Sequence, residues 1–264
     1  MPYARTKHIF PYREHKSSDL PLCYLQLLSV FLICGCLVAA ITLFFQVDTV
    51  VITGEKRYTE AEIREASGVE DGDNLFLLNK YQVIRNIADA LPYIEIENTT
   101  IQRKLPDTLL IQVRECGDPL AWEQDGIVWL VSPAGKIVEQ KTSTAGYPTI
   151  DGCRLLAPSV GTQIALDSEY EAQRQGLLNL LAALDEAGKL GEVDAVHVGD
   201  LAYISMDYMD RFTVKLDYDA DFANKLQLLD LSISSGKIQD NMTGTFDMRY
   251  RADGRIYFQQ NVRG

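Results

Sequence analysis

Between Asp19 and Asp48 the chain carries no charged residue. The apolar heart of that run, LCYLQLLSVFLICGCLVAAITLFF from Leu22 to Phe45, is interrupted only by the polar Gln26, Ser29 and Thr42. A soluble core helix of that length needs a polar stripe at helical spacing, and this one has none. At ~1.5 Å per residue the segment reaches roughly 36 Å, enough to cross the ~30 Å hydrocarbon core of a bilayer with some tilt. A membrane-spanning helix over residues 20–47 is therefore expected. The rival, a cleavable signal sequence, has an apolar stretch of only ~7–15 residues ending on small side chains. Here Val38-Ala39-Ala40 runs on into Ile41, Leu43, Phe44 and Phe45, and an uncleaved anchor fits better.

The span also divides the charge. The whole chain carries −12, from 25 Lys+Arg and 37 Asp+Glu. Residues 1–19 hold Arg5, Lys7, Arg13 and Lys16 against Glu14 and Asp19, a net +2, which leaves −14 beyond the span. The positive-inside tendency places that short tail in the cytoplasm and the acidic remainder outside. Such an acidic outer part argues against a duplex-binding role, because phosphate neutralisation needs surplus Lys and Arg. With 47% hydrophobic residues and only 18 Gly and 9 Pro, the composition excludes disordered and collagen-like chains. Cys116 and Cys153, the two cysteines beyond the span, could pair in an oxidising compartment or lie as two separately buried thiols.

Strand and helix patterns alternate after the membrane. Residues 48–54 (DTVVITG) form a β-branched strand ended by glycine. Thr59 caps a helix with Glu62 completing a capping box, Ile63, Ala66 and Val69 turned inward, and Gly68 as its stop. A second helix places Tyr81, Ile84, Ile87, Ala88 and Leu91 on one face. One strand follows from Ile94 and Ile96 to Gln102, and another through Leu109, Ile111 and Val113, joined by Lys104-Leu105-Pro106-Asp107. The order β-α-α-β-β makes a compact unit over residues 48–116.

From residue 117 to 260 the pattern reads as a β-rich α+β domain, followed by a short tail at 261–264. Val128, Leu130 and Ile137 flank a hairpin turn at Ser132-Pro133-Ala134-Gly135, and a Pro/Gly-marked loop covers 146–158. A long helix over 168–187 carries Leu177, Leu181 and Leu184 at helical spacing. Strands are expected at 195–198, 201–206 and 212–216, a short helix at 221–229, and a last pair at 245–250 and 255–260 joined through Asp253-Gly254.

Chemistry for catalysis is sparse. His197 is the one histidine beyond the span, and alternation with Val196 and Val198 reads as a strand-surface or partly buried position. Asp217-x-Asp219-x-Asp221 begins like a calcium loop, but Phe222 stands where that loop requires Gly and Leu228 where it requires Glu. No catalytic, cofactor-binding or metal-ligating set is expected. Asn98-Thr99-Thr100 and Asn241-Met242-Thr243 are sequons, which would matter only in a eukaryotic ectodomain.

In the order of its motifs the chain resembles the FtsQ/DivIB family of bacterial division proteins. The carrying segments are the basic tail and single span, VVITGEKRYTEAEIREASGVEDGDNLFLLN, ADALPYIE, RKLPDTLLIQVRE, VWLVSPAGKIVEQ and NKLQLLDL…GTFDMRYRADGRIYFQ. The resemblance implies a POTRA domain beside the membrane followed by a β domain. It also implies a non-enzymatic divisome scaffold at the septum, binding FtsL-like and DivIC/FtsB-like bitopic partners and so regulating septal peptidoglycan synthesis. In that family a late edge strand of the β domain takes up a partner segment by strand addition. Carried onto this sequence, the strand is 255–260, with Tyr250, Arg255, Tyr257 and Gln259 as partner-binding candidates and Ile256 and Phe258 turned to the core. A membrane-anchored hydrolase and a eukaryotic type II ectodomain remain the alternatives; glycosylation at Asn98 and Asn241 would mark the latter in an intact-mass measurement.

Overall fold

The computed structural model describes residues 20–54, 56–249 and 256–261. Helix α1 (Leu20–Phe44) shows exposed side chains on every side from Tyr24 to Phe44. An apolar helix whose described side chains are exposed all round has lipid as its natural solvent, and its length and composition suit a membrane span. The Thr42 hydroxyl donates to the Val38 carbonyl at 2.9 Å, so the polar group is satisfied inside the helix itself.

A three-stranded unit follows: β1 (Thr49–Thr53), α2 (Glu60–Ser67), α3 (Lys80–Ala90), β2 (Thr100–Lys104) and β3 (Thr108–Gln112). The sheet order is β1-β3-β2, with β1 parallel to β3 and β2 antiparallel to it. The capping box at the start of α2 forms as its spacing demands, and Gly68 ends the helix with φ +66°. Both helices press Ile63, Val83 and Ile87 onto Ile52, Leu109 and Ile111 of the sheet. Two expectations are corrected here. Tyr81 is exposed, because Val83, Ile87 and Ala88 define the buried face of α3. The strand expected from Ile94 starts only at Thr100, since 94–99 is spent on a turn that leaves Ile96 exposed.

The remainder builds one nine-stranded mixed sheet with two helices. Its strands are β4 (Leu120–Gln124), β5 (Ile127–Val131), β6 (Ile137–Lys141), β7 (Thr149–Asp151), β8 (Val193–His197), β9 (Ile204–Tyr208), β10 (Phe212–Leu216), β11 (Gly244–Asp247) and β12 (Tyr257–Gln260). Their order is β12-β11-β10-β9-β8-β7-β4-β5-β6. Helix α4 (Glu171–Glu186) lays Leu177, Leu180, Leu181 and Leu184 on one face, and α5 (Phe222–Ser234) covers the neighbouring strands with Leu226 and Leu229. Strands β4 and β7 were not expected. Leu120, Ala121 and Trp122 are all buried, which erases the alternation that marks a one-sided strand, and β7 is three residues long between Pro148 and Gly152. The ninth strand starts at Ile204 rather than 201, with Leu201 in solvent, and α5 runs past 229 to Ser234. The expected turn at Asp253-Gly254 lies outside the described residues.

A separate small core joins the two sheets. Tyr93 packs on Ala121, Val128, Leu130 and Val138, its hydroxyl donates to Glu139 Oε2 at 2.7 Å, and the Arg57 guanidinium lies 4.0 Å over its ring. Burial first, and then the Glu139 carboxylate, hold the Tyr93 hydroxyl protonated far above the usual tyrosine range. The Glu115 carboxylate collects the amide N–H groups of Lys56, Arg57 and Tyr58, and Lys136 Nζ reaches across to the Ala88 carbonyl at 2.8 Å. Cys116 lies at this junction and Cys153 beside the larger core, both as free thiols. Burial pushes Cys116 up to about 12, so it is a poor nucleophile at neutral pH. Tyr93→Phe keeps the packing and deletes one hydrogen bond to a charged acceptor. It is expected to lower stability by about 1.5 kcal/mol in urea unfolding of the full chain.

Candidate functional site

An open sheet ends twice, and each end shows unpaired backbone groups unless something covers it. At the β6 end the cover is built in. Ile137 donates to the Thr162 carbonyl and accepts from the Gly161 amide, both at 2.8 Å, while Tyr93 and Ala88 hold the side chains of Glu139 and Lys136. At the other end β12 pairs with β11 and, among the described residues, is the last strand of the sheet.

The register tells which groups face outward. Asn261 donates to the Thr243 carbonyl at 2.9 Å, so Thr243 and Asn261 form a hydrogen-bonded pair. Antiparallel pairs alternate, so Gln259 and Tyr257 also spend their N–H and C=O on β11. The backbone groups of Phe258 and Gln260 therefore point away from the sheet. Gly244 N donates to Arg211 O of β10, as the same alternation requires on the other side of β11.

The side chains split the other way. Phe258 stacks on Phe246 at 4.8 Å between centroids, and with Ile256 it packs on the main core, as the sequence suggested. Gly244 makes this possible, because a Cβ there would run into the Gln259 carbonyl and the Phe258 ring. Tyr257, 41% exposed, and Gln259 lie on the helix-free face. The structure brings these two together on one strand; Tyr250 and Arg255 lie outside the described residues. Beside the edge, Leu228 and Leu231 of α5 with Ile238, Ile256 and Phe258 line an open groove of about 370 Å³. Sequence reasoning missed Leu231, which stands 65% exposed on the extra turn of α5 beyond residue 229. The unused signal was the Leu228/Leu231 spacing, offset from the buried Leu226/Leu229 pair.

On the helix-free face, Tyr257 ends a row that crosses six strands through Asp247, Lys215, Ser205, His197 and Asp151. Gln259 ends the next row, through Thr245, Thr213 and Asp207. Polar and charged groups dominate both rows, so this face carries a hydrated surface up to the edge. The rows are stitched: Thr213 donates to Asp207 at 2.9 Å, Arg249 pairs with Asp247, and Lys215 and Arg249 each sit 4.9 Å from the Tyr203 ring. His197 lies between Asp151 at 3.0 Å and Asp207 at 3.2 Å. Burial alone would lower its pKa, but the hydrogen bonds and charges of the two carboxylates outweigh burial and raise it.

A raised folded-state pKa means that protonated His197 stabilises the fold fully below the unfolded value of ~6.5, and that the gain fades as pH rises through the folded value. His197→Gln should therefore lose stability at about pH 6, by under ~1 kcal/mol for so exposed a pair, and little at about pH 8.5. Urea unfolding of both proteins at the two pH values checks the sign. Gly244→Ala is expected to loosen β12 from β11 while the three-stranded unit keeps its structure, read as faster amide exchange confined to the edge.

Comparison with known proteins agrees with this architecture. Residues 45–115 match the POTRA domain family of the FtsQ type. The cell division protein DivIB of Clostridium acetobutylicum is 27% identical over 222 residues, covering 82% of this chain and 84% of the relative. DivIB of Clostridium tetani is 22% identical over 219 residues, covering 82% and 80%. Cell division protein FtsQ of Bradyrhizobium diazoefficiens is 25% identical over 217 residues, covering 70% and 61%. A POTRA unit next to an apolar helix, a large sheet after it and division proteins as relatives agree: residues 45–115 match the FtsQ-type POTRA domain, and most of the chain is similar to bacterial cell division proteins of the DivIB and FtsQ type.

Proposed function

We propose that this protein is a bitopic scaffold of the divisome that holds FtsL-like and DivIC/FtsB-like partners through residues 48–260 and thereby regulates septal peptidoglycan synthesis. In this reading the tail at 1–19 is cytoplasmic, residues 48–116 and 117–260 are the two extracytoplasmic domains, and the protein acts at the septum. The observation that carries the proposal is the outward-facing backbone of Phe258 and Gln260 at an edge with no further strand beyond it among the described residues. An extended partner segment completes the ladder there, and main-chain hydrogen bonds supply the affinity. Selectivity comes from the two sides of the strand. Partner side chains on one side meet Tyr257 and Gln259, and those on the other reach the apolar groove lined by Leu228, Leu231 and Phe258.

The charge of the outer part sets a second expectation. At −14 it repels anionic wall polymers, most strongly at low salt, so recruitment depends on protein partners rather than on adhesion to the wall.

The test is a titration of the reconstituted full chain with partner ectodomains. Tyr257→Ala removes an aromatic contact and is expected to weaken binding about tenfold, near 1.4 kcal/mol. Ile256→Pro removes an outward N–H by the same alternation and is expected to weaken it at least as much, with the POTRA unit still folded. Affinity unchanged in both variants would rule out strand addition at this edge.

A further inference from the structure

The end of α1 is fastened to the POTRA unit at several points. Asn74 spends both ends of its amide there. Its Nδ2 donates to the Ile41 and Thr42 carbonyls at 3.1 and 3.4 Å, and its Oδ1 accepts from the Phe76 and Leu77 amides at 2.9 and 3.2 Å. One side chain thus donates to two last-turn carbonyls, where Ile41 otherwise has only a long 3.4 Å bond from the Phe45 amide, and shapes the loop at 74–78. Around it, Leu75 donates to the Phe45 carbonyl, Val47 to Asp73 and Gly72 to Val47, at 2.7–2.9 Å, and the Phe45 and Phe76 rings meet edge-on at 5.0 Å. Val47 is already part of the POTRA core. Helix and domain leave the bilayer as one piece.

A second loop closes on the same point. The Asp107 carbonyl accepts from the amides of Asp48 and Thr49, which sets the β2–β3 turn at 104–107 against the chain exit, and Arg103 ties the two loops by donating to the Leu78 carbonyl at 2.9 Å. Both loops present apolar side chains: Leu77 is 78% exposed, Leu105 56% and Phe76 46%. They continue the exposed surface of Leu43 and Phe44 at the end of α1. The two loops and the chain exit carry Lys80, Arg103 and Lys104 as well as Asp48, Asp73 and Asp107, three charges of each sign, and so do not single out anionic headgroups.

We propose that the loops at 74–78 and 104–107 insert Phe76, Leu77 and Leu105 into the interface of the leaflet from which α1 emerges. The partner of this surface is the lipid itself. The POTRA domain then rests on the membrane at a fixed tilt instead of swinging on a tether, and the drive is apolar insertion rather than charge. The inference rests on reading α1 as a membrane span, and the experiment separates the two.

The full chain is placed in nanodiscs of phosphatidylcholine brominated along its acyl chains, and emission added by L77W, L105W and the distant control L201W is compared after subtracting the parent protein. Leu201 is exposed in the β8–β9 loop of the large sheet, so its variant should emit unquenched. L77W and L105W should each lose about half of their added emission or more, as for rings ~5–10 Å into the headgroup boundary. The loss should be the same when phosphatidylglycerol or salt is added. Discs that hold the chain but quench L77W and L105W no more than L201W would overturn the docking alone. So would quenching that appears only with phosphatidylglycerol. A chain that fails to enter the discs would overturn the span and the docking together.

Discussion

A β-sheet that does not close on itself leaves two rows of unsatisfied backbone groups, and the rest of this structure depends on how those two rows are treated. The β6 row is capped at Ile137 by the backbone of Gly161 and Thr162, and the strand is held against the POTRA unit by Tyr93 and Lys136. The β12 row is left open by the described residues. A buried strand edge without partners would cost several kcal/mol, so an open edge is tolerable only in water or under a partner. The asymmetry is built by local means: Gly244 lets β12 approach closely, Phe258 anchors it to the core, and polar rows keep the helix-free face hydrated.

Two couplings transmit position along the chain. Asn74 and its neighbouring backbone bonds lock α1 to the POTRA unit, and the Tyr93–Glu139 and Lys136–Ala88 contacts lock that unit to the large sheet. The first joins a helix that suits lipid to a soluble domain. The second is a small mixed core of one aromatic ring, four aliphatic neighbours and charge-assisted hydrogen bonds. Together they put the open edge at a defined place relative to the helix. For a scaffold this matters more than catalysis does: a partner that is itself anchored in the membrane meets an edge already oriented, and less freedom is lost on binding.

Much of this was legible in the residues. The span follows from one uncharged run, and the capping box at Thr59 and Glu62 fixed the start of α2 to the residue. The β-α-α-β-β order followed from period and punctuation. What failed did so for physical reasons. β4 is buried on both faces, so Leu120-Ala121-Trp122 shows no alternation, and β7 is too short to outweigh the turn signals around it. Tyr81 looked inward because it falls three residues from Ile84, yet tertiary packing turned Val83 inward beside the expected Ile87 and Ala88. At the candidate site, the edge position came from the family resemblance, and the side of Tyr257 from its alternation with Ile256 and Phe258. The groove was not readable, because it depends on where the extra turn of α5 comes to rest beside β12. The polar rows likewise exist only once register is set: Asp151 and His197 of the six-strand row are 46 positions apart in sequence.

Residue-resolved amide exchange of the full chain, alone and with partner ectodomain, tests the open edge most directly. If a partner strand completes the sheet, the amides of Phe258 and Gln260 slow on binding, while those of Tyr257 and Gln259, already bonded to β11, change little. A complex that forms and leaves Phe258 and Gln260 exchanging as in the free protein would contradict the account.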